Sequence, residues 1–139
     1  MTRRYVLEDQ VGHLLRRAHQ RATQIFLETF EDTGLTPTQW AALARLGEEG
    51  AASQNHLGRM TAMDPATVQG VIQRLEKRGL IDREADPDDR RRTRLKLSAA
   101  GAELVAKHTA HGAEVTARTL APLSDEEAES FLALLRKIS

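Results

Sequence analysis

The sequence predicts a mostly α-helical chain carrying one small β-hairpin. Three observations lead there. Six segments repeat apolar residues at spacings of three and four, most of them opened by a capping residue or closed by glycine. One segment, near residues 80–97, flanks a charged turn with strand-like sequence. The chain has 139 residues, 40% apolar and 29% charged, and no cysteine, so an apolar core must hold it without disulfide or thiolate-metal staples.

The first helix is expected over residues 8–31. Val11, Leu15, Ala18, Ala22, Ile25 and Thr29 form one stripe, which Leu14, Phe26 and Phe30 widen, and Gly34 follows as a stop. Thr36-Pro37-Thr38-Gln39 starts the second: Thr36 caps, Pro37 suits the first turn and Gln39 completes a capping box. Trp40, Leu43 and Leu46 face inward, and Gly47 to Gly50 ends it. Ser53 caps a short third helix through Met60. Asp64-Pro65 opens a fourth, running to Arg78 with Val68, Val71, Ile72 and Leu75 on its core face, and Gly79 stops it. Leu80-Ile81 begins a strand, Asp86 to Arg92 turns, and Arg94-Leu95-Lys96-Leu97 returns. Ser98 caps a long fifth helix that ends before Pro122. Ser124-Asp125-Glu126-Glu127 is a second capping box, and Phe131, Leu132, Leu134, Leu135 and Ile138 give the last helix an apolar face.

Composition narrows the function. Without cysteine there is no cysteine nucleophile and no thiol redox sensor. No apolar run approaches the ~20 residues that span a bilayer, and Met-Thr-Arg-Arg-Tyr leads into charged sequence rather than a signal-peptide core. A cytoplasmic protein with no membrane partner is expected. No G-x-S-x-G, phosphate loop or H-E-x-x-H is present, and Asp88 and Asp89 fall in a hairpin tip where water screens them, so an enzyme is not expected. The formal net charge is zero, but it is unevenly spread: residues 53–96 carry net +3, against −1 before and −2 after. That positive part is concentrated at Arg90-Arg91-Arg92-Thr93-Arg94, and nucleic-acid binding depends on such a local patch more than on the total.

Helix, turn, helix, hairpin over residues 53–97 is the order of a winged helix-turn-helix. Opposite its core stripe, the 65–78 helix presents Pro65, Ala66, Thr67, Gln69, Gly70, Gln73 and Arg74. Gln pairs with adenine, Arg with guanine, and Ala66 and Thr67 offer methyls to thymine. Gly70 permits close backbone approach. The arginine-bearing tip can reach a minor groove or phosphates. The same residues also suit an ordinary solvated face, with Asp86, Asp88 and Asp89 opposing the arginines. The alternative function is therefore a winged-helix protein-interaction module without sequence-specific DNA binding. The polar character of the 65–78 face favours DNA, since an apolar patch there would have favoured protein.

Thr67, Gly70, Leu75-Glu76, Gly79-Leu80-Ile81, Asp89-Arg90-Arg91, Ser98 and Gly101 closely resemble the signature of the MarR family of bacterial transcription regulators. Val68 departs mildly, standing where the family more often has Leu, Ile or Ala. The resemblance implies a homodimeric repressor in which the first, fifth and sixth helices of two subunits intertwine. It divides the chain into an N-terminal dimerisation helix (1–34), a DNA-binding domain (35–97) and C-terminal dimerisation helices (98–139). The 65–78 helix would read a half-site in the major groove and the wing would contact the flanking minor groove. Asp89 would position Arg91, with Arg90 at the tip as the minor-groove probe, and the extra Arg92 leaves room for that assignment to shift by one residue. Half-sites of a pseudo-palindrome would lie about one helical turn (~10 bp) apart.

The family resemblance also implies control by a small anionic aromatic compound, bound between the dimerisation helices and the winged helix. Tyr5-Val6-Leu7-Glu8-Asp9-Gln10 and the stretch from Ser53 to Asp64 are similar to the subgroup regulating degradation of nicotinic acid and related aromatic acids. That implies a hydroxylated pyridine- or benzene-carboxylate. Arg16, His19, Trp40, His108 and His111 supply the charge partner, hydrogen-bond donors and stacking face such a ligand needs. Each also has an ordinary structural role open to it: packed histidines, a core indole, an arginine in an intersubunit ion pair. His108 and His111 could hold a metal at their i, i+3 spacing, but no cysteine or evident acidic partner supports one. No cofactor is expected.

Overall fold

A computed structural model of the chain describes residues 3–139. Six helices and one hairpin follow in order: α1 (Val11–Thr29), α2 (Pro37–Glu49), α3 (Gln54–Met60), α4 (Pro65–Lys77), β1 (Ile81–Ala85), β2 (Thr93–Leu97), α5 (Ala99–Thr119) and α6 (Asp125–Lys137). Single 3-10 turns occupy Leu7–Asp9 and Glu31–Thr33. Among the described residues no helix is long and apolar enough to cross a membrane.

The first helix is shorter than its periodicity predicts. Gln10 is extended at φ −86°, ψ 133°, and its side-chain amide donates to the Val6 carbonyl at 2.8 Å. That local bond stabilises a separate turn before the helix. At the far end Gly34 takes φ +66°, a left-handed conformation that costs glycine little. The other starts lie where the caps predict. Thr36 and Ser124 each complete a capping box, Ser53 accepts from the His56 N–H, and Asp64 accepts from the Thr67 N–H.

The chain forms two compact units. The first comprises the residues up to Asp32 together with His111–Ser139. Its buried residues are Ile25, Phe26 and Phe30, with the two phenyl rings stacked at 4.2 Å. Arg118 joins α5 to α1 through Glu28, at 2.8 Å, and the Thr29 hydroxyl. Arg21 donates to the carbonyls of Arg118 and Thr119 in the last turn of α5, where helical N–H partners run out. The N-terminal half of α1 is different: Val11, Leu14 and Leu15 are exposed, as are Phe131, Leu134 and Ile138 of α6.

The second unit, Thr33–Ala110, holds the larger core. Leu43, Leu46, Leu57, Val68, Ile72, Leu75 and Leu95 are almost wholly buried. Here β1 and β2 pair antiparallel, with Ile81 opposite Leu97 and Ala85 opposite Thr93. Ala52, just before α3, bridges Leu95 in both directions at 3.0 and 2.7 Å and ties the hairpin to the helices. Ser98 fixes the start of α5: its N–H donates to the Leu80 carbonyl, and its hydroxyl donates to the Gly79 carbonyl and accepts from the Gly101 N–H. The resemblance-bearing residues Gly79-Leu80, Ser98 and Gly101 are thus one joint.

Candidate nucleic-acid interface

Helix α4 begins at a carboxylate. Asp64 Oδ1 accepts the Thr67 N–H at 2.7 Å, and Oδ2 accepts the Thr67 hydroxyl at 3.0 Å. These bonds stabilise the charged form and hold the Asp64 carboxyl below the usual range. Val68, Val71, Ile72 and Leu75 lock the opposite face into the core. Pro65, Ala66, Thr67, Gln69, Gln73 and Arg74 are left exposed, and Gly70 half-buried. A β-carbon at Gly70 would lie 3.4 Å from an Arg74 guanidinium nitrogen. The absent side chain therefore lets Arg74 lie back along the helix.

The turn between α3 and α4 is tight. Ala62 takes φ +55°, the left-handed region, and Gly58 has room for no large side chain, with the Met63 carbonyl and a Val68 methyl each 3.2 Å from where its β-carbon would be. That closeness sets α3 against α4.

The hairpin tip bears Arg90, Arg91 and Arg92, all exposed. Asp86 and Arg92 close it through an N–H to carbonyl bond of 2.9 Å. One expected pairing is corrected. Asp89 Oδ1 accepts the backbone N–H of Arg91 at 3.1 Å, while Oδ2 faces Arg92 Nε at 3.7 Å. The aspartate uses the nearest N–H to shape the turn, so its ion pair falls one residue beyond Arg91. On the strands, Glu84 binds Arg94 at 2.5 Å and Lys96 at 2.8 Å. Both partners hold the Glu84 carboxyl down, and Glu84 in turn raises Lys96. Glu84 thereby takes up part of the strands' positive charge, while Arg90, Arg91 and Arg92 of the tip stay exposed. Arg83, on the neighbouring position, reaches Glu76 of α4 at 2.8 Å. Sequence reading passed over Glu76, Arg83 and Glu84 as site residues. The signal was present in the strand alternation, which puts Arg83 on the same face as buried Ile81.

The residues expected to meet an effector fall in both units. Arg16 and His19 are exposed on α1, with His19 lining an open groove beside Thr23, Leu27 and Glu31. His111 is half-buried, its ring 5.9 Å from Phe30. Trp40 is half-buried on α2 rather than turned fully into the core. His108 is buried, with Nδ1 2.9 Å from the Leu104 carbonyl oxygen.

A helix pair with a polar outward face, followed by a cationic hairpin, defines a winged-helix DNA-binding protein. Residues 33–92 match the model of the MarR family. The HTH-type transcriptional repressor NicR of Pseudomonas putida is 37% identical over 134 residues, spanning 96% of this chain and 85% of that protein. The chain belongs to the MarR family, whose members are DNA-binding transcription regulators and not enzymes. Among solved structures, a probable transcriptional regulator from Pseudomonas aeruginosa is 51% identical with a TM-score of 0.90, covering 96% of this chain and all of that one. BpsR of Bordetella bronchiseptica, whose DNA binding is regulated by 6-hydroxynicotinic acid, is 40% identical with a TM-score of 0.92, over 98% of this chain and 97% of that one.

Proposed function

We propose that the protein is a cytoplasmic homodimeric repressor that reads a pseudo-palindromic operator and is released by a hydroxylated pyridine- or benzene-carboxylate. The observation that carries the DNA reading is the two-faced α4: its apolar side is locked into the core and its outward side offers Thr67, Gln69, Gln73 and Arg74. In this reading α4 enters the major groove, where Gln and Arg side chains select bases, and Arg90, Arg91 and Arg92 meet the flanking minor groove or phosphates. The similarity to NicR and BpsR supports the effector class. Arg16, His19, Trp40, His108 and His111 are the residues assigned to it. Release is a population shift: the acid favours a spacing of the two recognition helices that DNA does not, and acts only by binding that state better.

Fluorescence anisotropy on duplex DNA from upstream of the protein's own gene, against scrambled duplex over a salt series, tests this. Selective binding is expected, with release by 6-hydroxynicotinate or a benzoate-type acid. Arg74→Ala should cost about 1–3 kcal/mol of sequence discrimination. Arg90→Ala should weaken binding and lower the salt slope by about one. Unchanged affinity and slope in both variants would refute the assigned interface. DNA binding that no acid disturbs would keep the regulator and remove the effector assignment.

A further inference from the structure

We propose that Arg83 is a positioning residue that sets the reach of the wing by clipping it to the recognition helix. The inference rests on the DNA reading above and concerns how its two contact elements are held together. The apolar attachment of the hairpin is short. Ile81 and Leu95 are buried, and Leu95 is bridged to Ala52. Arg83 lies directly opposite Leu95 in the strand register, on the face of the hairpin that Ile81 turns to the core. Where apolar contact ends, polar contact takes over: Arg83 Nε and Nη2 lie 2.9 and 2.8 Å from the same Glu76 oxygen, and Nη2 reaches the Gln54 side-chain oxygen at 3.5 Å. One guanidinium thus touches β1, α4 and α3.

The pair is partly exposed, with side-chain accessibilities of 43% for Arg83 and 31% for Glu76. Such a pair adds little to stability, because water screens it and two long side chains lose freedom in forming it. A planar guanidinium held through two of its nitrogens does fix direction. The clip therefore does more for the angle of the wing than for the fold. A tip at a fixed distance from α4 adds its contacts to those of the helix without an ordering penalty at binding.

The test is a double-mutant cycle on the full-length protein. The probe is a duplex selected by that protein from a pool with a random core. The tip is neutralised as R90A/R91A/R92A, alone and together with Arg83→Met, and anisotropy gives the affinities. In the otherwise unchanged protein the tip substitution should weaken binding at least about tenfold, as expected for losing several phosphate-range charges. In the Arg83→Met background it should cost under about threefold. The melting temperature of Arg83→Met should move by less than about 3 °C. The charge exchange Glu76→Arg with Arg83→Glu should restore the larger tip cost, which a purely structural role would not predict. Equal tip costs in the two backgrounds overturn the inference and leave the DNA reading intact. So does a strongly unfolded Arg83→Met that the exchange does not rescue, whereas a tip cost under twofold in the unchanged protein overturns the inference together with the wing contact it builds on. Failure to select any duplex overturns the DNA reading, and the inference with it.

Discussion

At Gly101 a β-carbon would run into the carbonyl oxygen of Leu80. That oxygen has little freedom to withdraw, because it accepts the Ser98 N–H at 3.0 Å and belongs to a buried residue. Two effects compete in Gly101→Ala. Alanine is the better helix former by about 1 kcal/mol. Overpacking against a fixed backbone costs typically 1–3 kcal/mol, and a contact this close belongs at the upper end. The clash should win, and urea denaturation should show a net loss of about 2 kcal/mol; a variant as stable as the parent would mean that α5 starts elsewhere. Gly70 is the functional counterpart. Its missing side chain makes room for Arg74, so a side chain there should disturb DNA reading before it disturbs folding.

At the scale of elements, the caps join structure to pH. Asp64, Glu84 and Glu127 are all held below their ordinary values: Asp64 and Glu127 by backbone N–H donors at helix starts, Glu84 by Lys96 and Arg94. A depressed carboxyl contributes stability above its unfolded pKa and loses it as pH falls through the folded value. Lys96, raised by Glu84, contributes below its ordinary value and loses that contribution only as pH rises through the raised one. Stability should therefore decline on acidification below about pH 4, and denaturant midpoints measured from about pH 5 to pH 2 should fall less steeply for Asp64→Asn than for the parent. Equal slopes would show that the cap contributes nothing to the acid limb. These caps were legible in the sequence because each is made within three residues: Thr36 with Gln39, Ser53 with His56, Asp64 with Thr67, Ser124 with Glu127. The exposed α4 face followed from the same local periodicity. What the sequence hid was decided either by backbone conformation or by distance along the chain. Ala62 gives no sign that it will be left-handed, Gln10 none that it will bond to Val6 and delay α1, and Arg83 meets Gln54 across 29 residues. Asp89 had two arginines within reach, and only the turn geometry assigned its N–H bond to one and its ion pair to the other.

For the whole molecule, the decisive feature is apolar surface that the single chain does not cover. Val11 is 65% exposed, Leu134 60% and Ile138 66%, and with Leu14, Leu15, Phe131 and Leu135 they line one groove of about 490 Å³ in the first unit. Soluble monomers seldom leave such a contiguous patch, and a second copy of the chain is the partner the proposed repressor requires. Two recognition helices reading two half-sites bind as one ligand, so losing the pairing costs far more than half of the affinity. Leu134→Glu puts a charge into that face without touching α4 or the wing. By sedimentation at micromolar concentration the parent should be a dimer and Leu134→Glu a monomer. On a two-half-site duplex the monomer should bind at least about a hundredfold more weakly, while on a single half-site it should approach the parent. Arg74→Ala should do the reverse, remaining dimeric and weakening on both duplexes. A parent that sediments as a monomer would refute the dimer, and a Leu134→Glu dimer that keeps full affinity would place the pairing face elsewhere.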